Sequence, residues 1–318
     1  MHKIKKKLRK YLLRGPTQNI YKFLSVLRIK YYSKLSDKEF LEKNMKSNSG
    51  LKVDLDNPQM FCEKLLWIKY KYRNPLMKTC TDKVEVRKYV EDKGYKNMLT
   101  KILGVYDNFE DIDFDKLPKK TFLKSSHASG INQVVIKNNT NLKKVKNIFE
   151  RASRLNYYTK SREWNYDGLK PRIIVEPFLD MTNFLDYKFF VINGKVEYFA
   201  VIKEINDENG NQSLNSKFNL YNTNLMPLEV DLKRPKFDDS NFEFTSRINE
   251  LFKISEDLAS PFPFCRVDFL VSKDNVLFGE MTFFPTGGNS VMYPIENEYY
   301  YGDKLDLNQI ENKYLVGE

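Results

Sequence analysis

The stretch Arg266–Asn289 reads RVDFLVSKDNVLFGEMTFFPTGGN and carries the most informative pattern in the chain. Two apolar runs, Arg266–Val271 and Val276–Phe284, flank the polar tetrapeptide Ser272–Asn275. β-rich runs on either side of such a tetrapeptide are typical of two antiparallel strands and their turn. The stretch therefore predicts a β-hairpin.

Four polar side chains of this hairpin are expected to meet, because side chains alternate between the two faces of a strand. They are Arg266, Asp268, Glu280 and Thr282, and a register that sets Asp268 opposite Glu280 brings two carboxylates together. Unpaired carboxylates repel each other unless a cation lies between them. Mg²⁺ suits such a pair, since it binds one or two carboxylates and completes its shell with water and phosphate. The alternative is a structural ion pair in which Arg266 neutralises one carboxylate.

The composition is that of an ordinary globular protein. The 318 residues are 41% hydrophobic and 30% charged, and this length predicts about two domains. The cysteines, Cys62, Cys80 and Cys265, form no CxxC pair, which argues against a disulfide framework or zinc site and favours a cytoplasmic location. No apolar run approaches the ~18 residues that span a bilayer, so we expect neither export nor insertion.

The net charge of +11 is concentrated at the N-terminus. Residues 1–34 contain eleven Lys or Arg and no acid, which leaves 42 basic and 42 acidic residues in the rest. Nucleic-acid enzymes usually carry basic surface through the body, so we expect no nucleic-acid partner. Apolar residues recur at helical spacing in this extension, which suits peripheral binding to an anionic membrane surface on the cytoplasmic side. The alternative is a helix whose apolar stripe packs on the body.

Helical patterns fill residues 35–80, and a helix at Lys83–Asp92 follows, capped by Thr81 or Asp82. Leu99–Tyr106 is predicted to be a strand.

The segment Thr121–Ile136, TFLKSSHASGINQVVI, predicts an anion-binding element. A strand that carries Lys124 leads into the small-residue turn Ser125–Gly130 and then into another strand. Such a turn leaves backbone N–H groups free to face an anion, and the lysine adds the point charge that suits phosphate. His127 in the turn could also donate to phosphate. The alternative is an ordinary hairpin tip with one exposed lysine.

Two further elements place polar side chains at strand ends. An apolar strand ends at Glu176 beside Phe178, and a strand end of this kind can hold a flat base. The alternative is a core strand that simply stops at a proline. Asp186 and Lys188 then start a strand that turns at Asn193–Gly194, a strong hairpin signal. These two side chains share one face, either in a site or as a surface ion pair.

Taken in order, these motifs resemble the ATP-grasp superfamily, and specifically the TupA-like ATP-grasp proteins of teichuronopeptide and related polysaccharide biosynthesis. The resemblance covers about residues 51–305 and rests on six motifs, which are Asp82-Lys83, Phe122-Leu123-Lys124 with its loop, Val175-Glu176-Pro177-Phe178-Leu179, Asp186-Tyr187-Lys188-Phe189-Phe190 with Asn193-Gly194-Lys195, Arg266-Val267-Asp268-Phe269 and Gly279-Glu280-Met281-Thr282-Phe283. It implies an α+β ATP-grasp fold, in which two α+β subdomains clamp ATP. The implied divisions are a basic extension at 1–34, a helical region at 35–80, a lid subdomain at 81–177 and a large subdomain at 178–318.

The same resemblance implies ATP and Mg²⁺ as cofactors. The residues implied to bind ATP are Lys83, Lys124, Ser125, His127, Ser129, Gly130, Glu176, Phe178, Leu179, Asp186 and Lys188. The residues implied to bind Mg²⁺ are Asp268, Glu280 and Thr282, and the implied catalytic residues are Arg266 and Lys188. Two departures from the family pattern stand out. Thr282 replaces a frequent asparagine metal ligand, and Ala128 replaces the first glycine of the usual His-Gly-Ser-Gly loop.

These residues suit the activation of a carboxylate by phosphoryl transfer, which needs countercharges and no side-chain nucleophile. The resemblance implies a carboxylate–amine ligase that joins an amino acid or another amine to a uronic-acid carboxyl of a cell-surface glycan or of its lipid- or nucleotide-linked precursor. Residues 207–239 and Pro285–Ser290 are candidate acceptor walls. Two alternatives stay open, a kinase of the same fold that phosphorylates a glycan hydroxyl and a non-catalytic glycan or membrane-surface adaptor.

Overall fold

Residues 32, 34–204, 216–231 and 234–317 are described by the computed structural model. The chain divides into two units, Met1–Lys52 and Val53–Glu318. The basic extension predicted at 1–34 lies outside the described residues, apart from Tyr32 and Lys34. The first unit includes helix α1 (Asp37–Ser49), which Ser36 and Glu39 cap reciprocally and which Gly50 ends with a φ of 85°.

The second unit starts with helices, as the sequence predicts. They are α2 (Phe61–Lys71), α3 (Leu76–Thr81) and α4 (Glu85–Asp92). Asp82 supplies the predicted cap before α4, because its Oδ1 accepts hydrogen bonds from the N–H groups of Val84 at 2.8 Å and Glu85 at 3.2 Å. The helix therefore starts two residues later than predicted.

A four-stranded antiparallel sheet follows, in the order β1-β4-β2-β3. Its strands are β1 (Gly104–Tyr106), β2 (Lys120–Ser125), β3 (Asn132–Ile136) and β4 (Ile173–Pro177), with α5 (Leu142–Ser153) and α6 (Tyr157–Ser161) between the last two. Leu123 and Val175 pack with Phe149 of α5 in its core. The strand predicted at 99–106 is shorter than expected, because residues 99–101 border a cleft rather than pairing with β4.

A five-stranded antiparallel sheet has the order β7-β6-β5-β8-β9. Its strands are β5 (Leu185–Ile192), β6 (Lys195–Lys203), β7 (Lys217–Asn222), β8 (Phe264–Val271) and β9 (Val276–Thr282), and α7 (Ile248–Ala259) precedes β8. One face of the sheet packs on α7, where Phe189 and Phe199 each lie 5.6 Å from the ring of Phe252. The opposite face carries polar side chains on β5, β8 and β9, and also the stacked rings of Phe190 and Tyr198, the second of which packs on Tyr301. Helices with two antiparallel sheets confirm the α+β class.

Both predicted hairpins are present. β5 and β6 turn at Asn193 and Gly194, whose φ values of 44° and 79° suit a tight two-residue turn. β8 and β9 turn after Val271, and Asp268 lies opposite Glu280 as predicted. The pairing passes from Glu280 to Phe278, which leaves Gly279 as the extra residue of a β-bulge.

The C-terminal helix α8 (Glu296–Lys304) packs against α2. Buried Glu298 joins them, since its Oε2 accepts the N–H of Cys62 at 2.8 Å and its Oε1 accepts the N–H of Met292. All three cysteines are buried and unbridged. Across the described ranges, no helix combines the length and apolar character required to cross a membrane.

Candidate functional site

The open face of the five-stranded sheet brings together six side chains that the sequence singled out. β5 supplies two, β8 two and β9 two, and cross-strand pairing sets Lys188 opposite Asp268, Asp268 opposite Glu280 and Arg266 opposite Thr282. We call this set the ion network, and its members are Asp186, Lys188, Arg266, Asp268, Glu280 and Thr282.

Arg266 is the centre of the network. Its Nε donates to Oδ1 of Asp268 and its Nη2 to Oδ2, both at 2.7 Å. Nη2 also reaches Oε1 of Glu280 and Oγ1 of Thr282, each at 3.0 Å. Burial alone would lower the pKa of Arg266, but the two carboxylates outweigh it and raise the pKa. Its Nη1 donates to no group in the described part of the chain, so one donor is left for a ligand.

Lys188 forms ion pairs with two carboxylates of the network. Its Nζ pairs with Oδ2 of Asp268 and, at 2.8 Å, with Oδ2 of Asp186. Burial acts to lower the pKa of Lys188, but these carboxylates raise it overall, so the ammonium form is retained. Burial raises the pKa of Asp186. With three carboxylates against two cations, the network carries one net negative charge when all its members are ionised.

The residues predicted to bind Mg²⁺ differ in how well they fit it. Glu280 fits best, because its side chain is 46% exposed and its Oε2 accepts no hydrogen bond from the described residues. Burial would raise its pKa, but Arg266 and Lys188 lower it and keep it ionised. Asp268 is only 4% exposed, and both of its oxygens are already taken by Arg266 and Lys188. The Thr282 hydroxyl donates to Glu280 at 3.0 Å.

The network therefore has the form of the predicted alternative, an ion pair between Arg266 and a carboxylate. The described ranges contain no cluster of three or more Asp, Glu, His or Cys side chains placed to hold a metal. A metal ion bound to Glu280 would need further oxygen atoms, from a bound substrate or from water, to complete its coordination shell. The metal role of the three residues stays a prediction.

The loop after β2 is held by side chains from outside it, which donate hydrogen bonds to its carbonyl groups. Lys83 donates to the carbonyl oxygen of Ala128 at 2.8 Å, and Tyr157 donates to that of Ser129 at 2.7 Å. Burial lowers the pKa of Lys83. Ser129 and Gly130 are exposed at the tip, where Gly130 has a φ of 73°. The loop is thus closed by contacts that a bound phosphate would have to replace.

His127 is held by two hydrogen bonds inside the protein. Its Nε2 lies 3.0 Å from the carbonyl oxygen of Ala152 and its Nδ1 2.9 Å from Oγ of Ser125. The carbonyl must accept, so Nε2 carries the proton and Nδ1 accepts from the serine hydroxyl. Neither ring nitrogen is left for phosphate, and burial lowers the pKa of His127. A phosphate role for His127 or Ser125 would require these contacts to be exchanged, and it stays a prediction.

A cleft of ≈ 1040 Å³ lies between the two sheets. The four-stranded sheet and the segment after it contribute Phe122, Phe178 and Leu179, and the five-stranded sheet contributes Leu270 and Leu277. These apolar side chains stand among polar and charged residues such as Lys101, Lys120 and Asp180, and apolar surface with polar groups around it suits a flat, polar-edged ligand. The ammonium of Lys120 lies 3.4 Å from the ring centroid of Phe178 and caps one wall.

Glu176 and Lys124 occupy the inner end of this cleft. They form a salt bridge of 2.6 Å, and the hydroxyl of Thr100 donates to the other oxygen of Glu176 at 2.9 Å. Thr100, Lys124 and Glu176 also line a smaller pocket that reaches Lys83 and Glu280. The cleft and the smaller pocket therefore share these three residues as a wall, and the smaller pocket extends to Lys83 and to Glu280 of the ion network. Sequence reasoning missed Thr100, because Leu99–Tyr106 was predicted to be a regular strand.

Comparison with known families agrees with this arrangement. A family model described as TupA-like ATPgrasp matches residues 63–306. No curated protein gives a significant match.

Three of the solved structures to which this chain is similar are named as ligases. D-alanine–D-alanine ligase from Bacillus anthracis is 16% identical with a TM-score of 0.44, and the alignment covers 76% of this chain and 71% of that one. L-amino acid ligase from Bacillus licheniformis is 14% identical with a TM-score of 0.43, covering 76% and 53%. VanG D-Ala:D-Ser ligase from Enterococcus faecalis is 15% identical with a TM-score of 0.43, covering 72% and 60%.

Proposed function

The chain belongs to the TupA-like ATP-grasp family, and from that premise we propose that it is an ATP-dependent carboxylate–amine ligase. The observation that supports the proposal most is the wall of Thr100, Lys124 and Glu176, which the cleft between the sheets shares with the pocket at Lys83 and Glu280. A nucleotide whose base lies in the cleft would extend its phosphates past Lys124 and Lys83 toward the network. The finer proposal is that a uronic-acid carboxyl of a glycan or glycan precursor is joined to an amino acid.

The base would lie between Phe122 and Phe178 on one side and Leu270 and Leu277 on the other. Glu176 would accept a hydrogen bond from an exocyclic amino group, once Lys124 has exchanged its carboxylate partner for a phosphate. Lys83 would exchange the carbonyl oxygen of Ala128 for a phosphate in the same way. These exchanges would couple nucleotide binding to movement of the Ser125–Gly130 loop.

The chemistry would proceed in two steps. A carboxylate oxygen of the acid attacks the γ-phosphorus of ATP, the bond to the β,γ-bridging oxygen breaks, and ADP leaves. The amine nitrogen then attacks the acyl carbon, the carbon–oxygen bond breaks, inorganic phosphate leaves, and the nitrogen loses a proton. No protein side chain has to form a bond, which agrees with the ion-paired state of the network.

Arg266 would supply the main fixed countercharge, because its Nη1 is uncommitted and its pKa is raised. Preorganised donors of this kind stabilise the charge that develops on transferring oxygens. Mg²⁺, when bound, would neutralise phosphate charge and polarise the transferring group. Glu280 would hold it, with Asp268 joining after release from Lys188.

A kinase of the same fold is the second candidate, and it would need a base to accept the hydroxyl proton. Two network carboxylates keep an oxygen that accepts no hydrogen bond from the described residues, Oε2 of Glu280 and Oδ1 of Asp186. The lowered pKa of Glu280 makes it a weak base, whereas burial raises the pKa of Asp186, which is the candidate base for a kinase. The ligase is the first candidate because the mechanism proposed for it needs no such base. The adaptor alternative, and membrane binding through residues 1–34, gain no support from the described residues.

The deciding experiment is ³¹P NMR of the full chain with Mg-ATP, uronic-acid oligosaccharides and mixed amino acids. ADP and inorganic phosphate that form only when acid and amine are both present would support the ligase. A new phosphoester signal would make the protein a kinase instead. Intact ATP with every mixture, together with no nucleotide binding in a titration, would leave the adaptor.

A further inference from the structure

Glu163 is a half-buried carboxylate beside the candidate site that the proposed mechanism does not use. It stands at the start of the short 3₁₀-helix Trp164–Tyr166, but its side chain caps no backbone N–H group there. Within the described ranges its carboxylate forms no salt bridge. Burial raises the pKa of Glu163 and outweighs Lys69 and Ser161, which act to lower it. A carboxylate held in this way is a candidate functional group.

The segment Pro285–Ser290 after β9 connects Glu163 to the ion network. A Cβ on Gly287 would lie 3.6 Å from Oε1 of Glu163 and 4.0 Å from Nζ of Lys69, so both side chains reach this segment. Lys69 donates to the carbonyl oxygen of Gly287 at 2.9 Å and so holds the segment in place. Residues of the same segment line a pocket together with Arg266 of the network. Glu163 therefore lies behind a segment that borders the network.

Tyr166, three residues further along the chain, also connects Glu163 to the network. It lines the small pocket that contains Lys83 and Glu280. Burial raises the pKa of Tyr166, and the negative charges of Glu163 and Glu280 add to this effect. Its ring lies 5.2 Å from the ring of Tyr157, with 31° between the two planes. The Tyr166 hydroxyl is thus close to both carboxylates, and two aromatic rings stand beside them.

The surroundings of Glu163 suit an ammonium group. An ionised carboxylate only accepts hydrogen bonds, and the faces of aromatic rings attract cations. The ring of Tyr157 already takes such a cation, since the ammonium of Lys160 lies 5.5 Å from its centroid. An amino acid carries an ammonium group at neutral pH, because the pKa of an α-amino group is about 8. This group must lose a proton before its nitrogen can attack an acyl phosphate.

We propose that Glu163 binds the ammonium group of the amine substrate and accepts its first proton. The inference rests on the proposed ligase function and extends its mechanism to amines that arrive protonated. The ammonium nitrogen gives one proton to the carboxylate of Glu163 and becomes a neutral amine with a lone pair. It then attacks the acyl carbon, the carbon–oxygen bond breaks, and the second proton leaves with the phosphate. Glu163 returns its proton to water after the product has left.

Hydroxylamine provides the first test, because it is uncharged at neutral pH and gives a hydroxamate without a proton acceptor. Glu163→Gln should reduce amide formation from a uronic-acid oligosaccharide and mixed amino acids by about a hundredfold or more. The same variant should form hydroxamate at nearly the wild-type rate. Glu91→Gln, at an ion pair with Lys96 on the surface, is the matched control and should change neither rate. Equal losses with both nucleophiles would overturn the inference, because Glu163 would then act on phosphoryl transfer or on the fold.

The pH profile provides a second test, which a purely structural role would not produce. In Glu163→Gln, amide formation should rise about tenfold per pH unit below the pKa of the amine, since only amine that is already neutral in solution can attack. The wild-type rate should rise less steeply, because Glu163 deprotonates the bound ammonium group. Parallel profiles for the two proteins would contradict the inference.

The inference and the proposed function fail in different ways. Wild-type protein that forms no amide, hydroxamate or ADP with any acid and amine would remove the ligase and the inference together. Amide and hydroxamate formation that Glu163→Gln leaves unchanged would keep the ligase and remove the inference.

Discussion

Arg266 and Asp268, two residues apart on β8, are joined by two parallel hydrogen bonds of 2.7 Å. Residues at this spacing point to the same face, so the strand itself aligns the guanidinium with the carboxylate. The pairing fixes both side chains in a site where Asp268 is only 4% exposed. Nη1 of Arg266 takes no part in this pairing. The pair can therefore hold that donor in a fixed position for a charged ligand.

Arg266→Lys should abolish most activity and also lower stability. A lysine offers a point charge and cannot make both bonds to Asp268, so the buried carboxylate loses part of its pairing. We expect a loss of about 1–3 kcal/mol in the free energy of unfolding, measured by urea denaturation. Arg247→Lys, at a surface ion pair, should change neither stability nor ADP release. Wild-type turnover in Arg266→Lys would remove Arg266 from the mechanism.

Glu280→Gln should reduce turnover by about a hundredfold or more, because a transition-state electrostatic contact is lost. The protein should stay folded, since the Glu280 side chain is 46% exposed and an amide can still accept from Arg266. ADP release under saturating Mg-ATP measures the effect. Glu250→Gln on the surface of α7 serves as the control. Turnover that stays within twofold of wild type would exclude Glu280 as a metal or phosphate contact.

Lys124→Met should weaken ATP binding more than adenosine binding. A charge-assisted contact to phosphate is worth about 1.5–3 kcal/mol, which corresponds to about ten- to a hundredfold in Kd. Adenosine, which has no phosphate, should bind the apolar cleft with nearly unchanged affinity. Exposed Lys143→Met on α5 is the control. An equal loss of affinity for ATP and for adenosine would show that Lys124 supports the shape of the cleft and does not contact phosphate.

His127 should make stability depend on pH. Burial lowers its pKa below the ordinary value of 6.5, so the unfolded chain binds a proton at a pH where the folded chain does not. The free energy of unfolding has its full value above pH 6.5. It falls as the pH drops toward the pKa of His127 in the folded chain, by at most about 1.4 kcal/mol per pH unit.

His127→Gln lacks this titration, since the amide side chain stays neutral. Urea midpoints measured from about pH 7.5 to about pH 5.5 should therefore fall less in the variant than in wild type. A difference between the two proteins that is independent of pH would contradict the buried neutral imidazole.

Gly302→Ala should destabilise the contact between α8 and α2. A Cβ at this position would lie 2.1 Å from the carbonyl oxygen of Gln59 and 3.0 Å from the backbone nitrogen of Phe61, so backbone would have to move. Overpacking of this kind costs about 1–3 kcal/mol. Gly317→Ala, with no heavy atom within 4 Å, should leave the thermal midpoint unchanged. Equal midpoints for the two variants would show that the helix contact can relax.

Much of the fold and part of the site were predictable from the sequence. The Asp268–Glu280 register follows from strand alternation and turn position, and the Asn193–Gly194 turn from residue type alone. Both are local signals, which depend on neighbours a few residues away. The family resemblance supplied the order in which these hairpins are assembled.

The partners of the charged side chains were not predictable in the same way. Lys83 and His127 both bond to backbone carbonyl groups of distant residues, Ala128 and Ala152. Every residue has a carbonyl group, so no residue type marks such a partner in the sequence.

The bulge at Gly279 has a consequence for how the hairpin tolerates change. A Cβ there would lie 2.9 Å from the carbonyl oxygen of Asp268, so glycine is the residue that fits. Removing this residue would leave Asp268 opposite Glu280 and Phe269 opposite Phe278, and would restore a regular ladder without the extra twist of the bulge. Removing a paired residue such as Met281 would instead shift the end of β9 by one position and turn Thr282 away from Arg266. The bulge is therefore a position at which β9 can lose a residue without turning the polar side chains to the other face of the sheet.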